Sequence, residues 1–131
     1  MYAQNAIAFG WLAAYLGLGA AMLGVFTMAY VWITPYDDIA DIRAGKMAPA
    51  IALVGAMLGF AAPLLIASFH GANIRDYLVW STAACLVQLL AFKVLYWLLP
   101  NQIEANNPAA ALVYAGSAVC VGLINAFSMI P

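Results

Sequence analysis

The sequence has very little charge. Of 131 residues, four are Lys or Arg and five are Asp or Glu, which makes 7% charged residues against roughly 25% in ordinary globular domains. A soluble core of this size could not hide the 68% of residues that are hydrophobic. The net charge of −1 leaves no basic patch, so a nucleic-acid partner is not expected.

Histidine and cysteine are scarce as well, with one histidine and two cysteines. Cys85 and Cys120 each lie in the middle of an apolar run, which is typical of small buried hydrophobes rather than of a disulfide or metal pair. His70 has no second histidine or cysteine nearby. Because no Ser–His pairing, Gly-rich phosphate loop or cofactor fingerprint occurs, we expect no metal, no cofactor and no catalytic residue.

The sequence instead contains four long uncharged or nearly uncharged runs. Each is long enough to cross about 30 Å of hydrocarbon as a helix. The N-terminus lacks the basic region of a signal peptide, so the first run should remain as a helix. The sequence therefore predicts an all-α integral membrane protein with the lipid bilayer as its main partner, a single membrane domain over 1–131 and spans at about 6–33, 48–69, 77–99 and 108–130.

Small residues recur at helical spacing in the first two spans. Such residues let neighbouring backbones approach closely in lipid, and Pro63 predicts a kink because it crowds the carbonyl of Gly59. The predicted packing residues are Gly17, Gly24, Gly55, Gly59 and Pro63, of which the first two belong to a stripe that also holds Gly10, Ala13 and Ala21. Four short helices enclose no sizeable aqueous pore by themselves, so we expect a homo-oligomer or a subunit of a larger assembly.

The first loop, 34–46, predicts a short amphipathic helix at the membrane surface. Thr34 and Gly45 mark its two ends, and Tyr36, Ile39 and Ile42 form a face opposite the aspartates. The aspartates Asp37, Asp38 and Asp41 have the Asp-Asp-x-x-Asp form that binds magnesium diphosphate in prenyl-transferring enzymes. Their simpler interpretation, which we favour, is the solvated face of a capped helix.

The two halves of the chain look related, as repeat units of about 6–69 and 77–131. Aligning 42–55 with 103–116 matches five residues, including Gly55 with Gly116. Units of two spans each would be parallel repeats about an axis along the membrane normal. The first loop carries two positive charges, Arg43 and Lys46, whereas the connection on the opposite side carries one, Arg75. Because positively charged residues are enriched on the cytoplasmic side of membrane proteins, this difference favours a cytoplasmic location for loops 34–47 and 100–107.

Polar side chains on the third and fourth spans are the remaining candidates for a site. Tyr114, Ser117, Asn125 and Ser128 form a stripe on the fourth span, and Ser81, Cys85 and Gln88 form a weaker face on the third. Two such faces either line a path for an ion or small polar solute, or they make interhelical hydrogen bonds, which we favour. Lys93 is the one charged residue deep in a span, and snorkelling to the interface is its favoured interpretation.

Several segments together resemble a known family. They are Asp76-Tyr77-Leu78-Val79-Trp80, Gln88-Leu89-Leu90-Ala91-Phe92 with Pro100, Ile33-Thr34-Pro35, 58–64 and Asn125-Ala126. In order and spacing they are similar to the YjfL-type small bacterial inner-membrane proteins, the domain of unknown function 350. The resemblance implies four spans in two duplicated units, an inner-membrane location and genomic company with phage-shock-type envelope-stress proteins and ligase-like enzymes, but no established activity.

Three functions remain open on the sequence. The first is a non-enzymatic oligomeric scaffold or docking component linked to envelope stress, with 34–46 as its cytoplasmic contact. The second is an oligomeric channel or small-solute transporter lined by Gln88, Ser117, Asn125, Tyr114 and Lys93. The third, a distant option, is magnesium-dependent lipid or prenyl chemistry at the aspartate loop.

Overall fold

The computed structural model describes residues 1–70 and 73–130, and this part of the chain is helical throughout, with turns between helices. Within these residues, four helices are long and apolar enough to cross a membrane, which confirms the predicted class. The five helices are α1 (Tyr2–Ile33), α2 (Asp38–Arg43), α3 (Met47–His70), α4 (Ile74–Leu98) and α5 (Pro108–Ser128).

Asparagine side chains fix where two of the spans begin. The Asn73 carboxamide accepts the Asp76 N–H at 2.9 Å and starts α4. Asn107 accepts the N–H groups of Ala109 and Ala110, and Pro108 at the first turn lacks the amide that would otherwise be unpaired. The predicted spans 48–69 and 77–99 leave 70–76 between them. This connection is shorter in the structure, because α3 runs to His70 and α4 begins at Ile74; residues 71 and 72 lie outside the described residues.

Helix α3 is the centre of the bundle and contacts each of the other four helices, most extensively α5. The α3–α5 contact is made by backbone against backbone. A Cβ added to Gly55 would collide with Ala115, and one added to Gly122 would lie 2.6 Å from the carbonyl carbon of Gly59. Only glycine allows the helices to come this close, which is the contact mode that small-residue motifs provide in lipid.

A chain of aromatic rings joins the other helices to this pair. Phe26 of α1 stacks on Phe60 of α3 with ring centroids 4.3 Å apart. Tyr30 of α1 meets Phe92 of α4 edge-on at 5.0 Å, and Phe92 meets Tyr114 of α5 in the same way at 5.8 Å. The aromatic core therefore holds the C-terminal third of α1, and a separate edge-on pair of Tyr15 with Tyr77 of α4 at 5.9 Å holds its middle.

Both longer loops lie at the same end of the bundle. The Asn106 carboxamide in the second loop accepts the Ala48 N–H at 3.0 Å. The second loop therefore caps the first turn of α3, and this turn directly follows the first loop along the chain. Ile103 is fully buried there. A cytoplasmic location of both loops, 34–47 and 100–107, requires them to lie at one end of the bundle, as they do. Which face of the membrane this end occupies stays a prediction.

The proposed duplication stays a prediction. The residues matched between the halves have different surroundings: Gly55 is buried against α5, whereas a Cβ on Gly116 would meet open space. Ala48 is fully buried and its counterpart Ala109 is exposed.

Helix α3 continues through Pro63, so this proline does not break the helix.

Candidate functional site

The two amides predicted to line a polar path both bond to main-chain carbonyls of a neighbouring helix. Gln88 is 4% exposed and its Nε2 donates to the Gly59 carbonyl at 3.0 Å. Asn125 Nδ2 donates to the Ala84 carbonyl at 3.3 Å. Both side chains are therefore engaged between helices of one protomer.

The Gln88 hydrogen bond has a specific physical reason. In an α-helix the Gly59 carbonyl would accept the N–H of residue 63, but that residue is Pro63, which has no N–H. A carbonyl left without a donor in lipid is costly, and proline is tolerated in spans where a neighbouring helix supplies the missing bond. Gln88 supplies that bond here, so its burial follows from Pro63.

The other path candidates are spread over the molecule. Tyr114 donates its hydroxyl to the Leu99 carbonyl at 2.8 Å and lies 3.3 Å from the Leu95 carbonyl, both near the C-terminal end of α4. Ser117 is half-buried in a shallow apolar groove with α4 residues. The Lys93 ammonium donates to the Ile33 carbonyl at 3.1 Å, where a cation stabilises the negative end of α1.

A small internal cavity lies beside Gln88, between all four spanning helices. Its volume is about 20 Å³, which is enough for one water molecule. Its walls are apolar and aromatic apart from the polar atoms of Gln88, Tyr30 and Tyr114. A cavity of this size gives no route for a solute through the protomer.

The three aspartates of the first loop have three separate roles. The Asp37 carboxylate accepts the Ala40 N–H at 3.2 Å and caps α2, so the prediction that Thr34 is the cap is wrong. Asp41 pairs with Lys46 at 3.2 Å. Asp38 is fully buried, which corrects the prediction of a shared solvated face. Within the described residues, no group of three His, Cys, Asp or Glu side chains is placed to hold a metal ion.

Asp38 belongs to a buried polar cluster where α1 meets α2, which we call the junction cluster: Tyr30, Thr34, Tyr36 and Asp38. The Thr34 hydroxyl donates to Asp38 Oδ2, a bond that the i, i+4 spacing of the two residues allows. The Tyr30 and Tyr36 hydroxyls and Asp38 Oδ1 are buried without a hydrogen-bond partner among the described residues.

Burial dominates the electrostatics of the junction cluster. It raises the pKa of the Asp38 carboxyl to about 6, against the opposing effect of the Thr34 hydrogen bond, and the charges of Asp41 and Asp37 add to the rise. Burial also raises the pKa of Tyr36, and the nearby Tyr30 and Asp38 raise it further. Sequence analysis missed this cluster because three aspartates in a loop indicate solvent; the Thr34–Asp38 spacing was the signal that could have revealed it.

Most of α1 lies outside the bundle. Only Phe26 and Tyr30 of its 32 residues are buried. Gly10, Gly17 and Gly24 face away from the other helices, since a Cβ on any of them would meet nothing within 4 Å. Of the five predicted packing residues, Gly55, Gly59 and Pro63 thus lie in the interior, whereas Gly17 and Gly24 lie on an open face.

Comparison with known proteins places the chain in a family. The family described as Domain of Unknown Function (DUF350) matches residues 2–129. The chain belongs to the DUF350 family. It is 32% identical over 119 residues to the UPF0719 inner membrane protein YjfL of Escherichia coli (strain K12), which covers 88% of this chain and 90% of that protein. The same values hold for the YjfL protein of Escherichia coli O157:H7. No solved structure matches.

With four membrane-length apolar helices and these relatives, this DUF350 chain is a multi-pass inner-membrane protein. The family description brings no activity.

Proposed function

We propose that this DUF350 protein is a non-enzymatic, homo-oligomeric scaffold of the inner membrane, assembled through α1. The observation that carries the proposal is the open face of Gly10, Gly17 and Gly24. In lipid, glycine on an exposed helix face gains nothing by contact with acyl chains, whereas it allows close contact with another helix.

The spacing of these glycines favours a second copy of the chain as the occupant. They are seven residues apart, with Ala13 and Ala21 between them. A strict seven-residue repeat keeps one seam of a helix facing a partner helix at a shallow left-handed crossing. Because α1 presents the same seam in every copy, two copies can pair symmetrically.

The α3–α5 contact supports this proposal from within the chain. There, glycines at Gly55, Gly59 and Gly122 are used for backbone contact. The α1 glycines offer the same chemistry without a partner in the protomer. A scaffold made by α1 seams leaves the loop end of each copy free to dock other proteins.

The docking surface in this proposal is the exposed side of α2 and its flanks. Asp37, Ile39 and Arg43 are exposed there. The family resemblance supports a phage-shock-type envelope-stress protein as the partner, meeting this surface on the cytoplasmic side. An oligomeric channel gains less support, because Gln88 and Asn125 already bond within the protomer.

Stoichiometry in detergent and in lipid nanodiscs tests the assembly. Native mass spectrometry should give an oligomer for the unchanged chain and a smaller species for Gly17→Leu. Gly116→Leu is the matched control: its Cβ also meets open space, but it lies on α5, away from the seam. A monomer for the unchanged chain, or equal stoichiometry in both variants, contradicts the α1 seam.

Two further measurements test the scaffold role. Co-purification with the phage-shock-type protein should be lost on Ile39→Asp with Arg43→Glu and retained on Arg75→Glu, at the opposite end of the bundle. Ion flux in liposomes that falls on Asn125→Leu or Gln88→Leu would replace the scaffold with a channel.

A further inference from the structure

The junction cluster contains more polar atoms than it has hydrogen bonds. Asp38 is 0% exposed, yet its Oδ1 has no partner among the described residues. The buried hydroxyls of Tyr30 and Tyr36 lie close to each other and bond to no third group there. Buried polar atoms in native proteins are almost always satisfied. A buried carboxylate with one unpaired oxygen therefore indicates a bound proton, ion or water that completes its hydrogen bonds.

The charge of the cluster indicates what that species is. An ionised, buried carboxylate needs a cation or a proton nearby. None of the described cations pairs with Asp38. Lys46 pairs with Asp41, Lys93 of α4 donates to the Ile33 carbonyl, Arg43 in the last turn of α2 is exposed, and Arg75 lies in the first turn of α4 at the other end of the bundle. Asp37, which caps α2, and Asp41 within α2 add negative charge. Between Met47 and Phe69, α3 contributes no titratable side chain.

The groups that face Asp38 suit a proton better than a metal ion. One carboxylate and two phenol hydroxyls are a poor ligand set for a divalent cation, which prefers several carboxylate or carbonyl oxygens. Burial raises the pKa of Tyr36, so its hydroxyl stays protonated. A proton on Asp38 removes the buried charge and leaves a carboxylic acid that can donate from Oδ1.

We propose that the junction cluster binds one proton on Asp38, and that this proton controls how firmly α2 docks against α1 and α3. With the proton bound, the carboxyl is neutral and its burial carries no charge penalty. With the proton lost, an unpaired charge lies at the contact and favours release of α2. The cluster is thus a proton-sensing site at the loop end, and its existence does not depend on the α1 seam.

Infrared titration of the full-length chain in zwitterionic nanodiscs tests the site directly. With aspartate ¹³C-labelled at its carboxyl group, one carboxylic acid should titrate near pH 6, consistent with the raised pKa of Asp38. The band should be absent in Asp38→Asn and retained in Asp37→Asn, because asparagine also caps helices. Thr34→Val should move the midpoint upward, because the Thr34 hydroxyl bonds to the carboxyl and favours its ionised form.

Hydrogen exchange of the α2 amides tests the docking. At each pH, the exchange of the unchanged chain is compared with that of Asp38→Asn, so that the intrinsic pH dependence of exchange cancels. The exchange rates of the two chains should agree near pH 4. Above pH 7 the unchanged chain should exchange faster by up to about a hundredfold, a factor set by the difference between the pKa of Asp38 when α2 is docked and when it is released.

Three results would overturn the proposal. The first is that no carboxyl titrates above pH 5, and the second is that the band persists in Asp38→Asn. The third is a midpoint that moves with sodium concentration at constant ionic strength, which would replace the proton with an alkali cation. Should Asp38→Asn fail to fold, the direction in which Thr34→Val moves the midpoint of the carboxyl titration still tests the proposal.

Discussion

The hydrogen bond from Gln88 to Gly59 yields the sharpest test of the fold, because its strength should depend on Pro63. With proline at position 63, the Gly59 carbonyl lacks its helical donor, and Gln88 Nε2 supplies the bond at 3.0 Å. Replacing Gln88 by Leu leaves a buried carbonyl unpaired. Replacing Pro63 by Ala restores the helical N–H to that carbonyl and makes Gln88 redundant.

The expected magnitudes follow from this geometry. Interhelical hydrogen bonds in membrane proteins contribute about 0.6 kcal/mol on average and about 1.7 at most, while an orphaned buried acceptor costs about 1–3 kcal/mol. We therefore expect Gln88→Leu to destabilise the chain by about 1–2 kcal/mol when Pro63 is present. In the Pro63→Ala background the cost should fall to about 0.5 kcal/mol, which gives a coupling energy of about 1 kcal/mol.

Reversible unfolding in mixed micelles measures all four corners of this double-mutant cycle. Asn125→Leu is the matched control, because the Ala84 carbonyl that it bonds to also receives the main-chain N–H of Gln88. Its cost should be near 0.6 kcal/mol and should not change with Pro63. Equal costs for Gln88→Leu in the two backgrounds would refute the reasoning.

Three further predictions concern other parts of the structure. Gly122→Ala should be less stable than Gly116→Ala by about 1–3 kcal/mol in the same unfolding assay, because the first Cβ meets the Gly59 backbone and the second meets open space; equal stability would contradict the α3–α5 contact. The free energy of unfolding should fall as pH rises from about 4 through 6, by at most about 3 kcal/mol. The reason is that burial raises the pKa of Asp38 to about 6, so the folded chain holds this proton more tightly than the unfolded chain does. A free energy of unfolding that does not change with pH, or a pH dependence that Asp38→Asn leaves unchanged, would contradict this. Lys93→Met should lower stability by about 0.3–1 kcal/mol through loss of the charge at the C-terminal end of α1, whereas Arg75→Met at the other end should have little effect, and the same assay compares the two.

Sequence alone predicted the four spans because hydropathy over about 20 residues is a strong signal in a chain with nine charged residues. It did not predict the burial of Asp38. Helix α2 has only six residues, which is too few for a periodic pattern to show which face is buried. The carboxyl is buried by contact with segments on both sides of the loop, and no local pattern encodes that contact.

The partners of the polar spanning residues could not be predicted from spacing for a similar reason. Gln88 and Asn125 fall on helical faces, so the sequence places them between helices but does not say what they bond to. Pro63 held the missing information, since it leaves one carbonyl at Gly59 in need of a donor. Which helix supplies that donor depends on the packing of α4 beside α3, a tertiary fact.

The two sets of glycines separate folding from assembly. Those of α3 and α5 lie in the interior, where a side chain would push two backbones apart, so substitutions there should act on the free energy of unfolding. Those of α1 lie on an open face, so a leucine there removes no contact within the protomer and should act on stoichiometry alone. The aromatic contacts of Phe26 and Tyr30 hold α1 to the bundle independently of that face. Tyr15 adds an edge-on contact with Tyr77 of α4 at 5.9 Å, also away from that face. A protomer whose first helix is held to the bundle along one side and open along the glycine face can therefore fold first and associate afterwards, which is the order that an oligomeric scaffold requires.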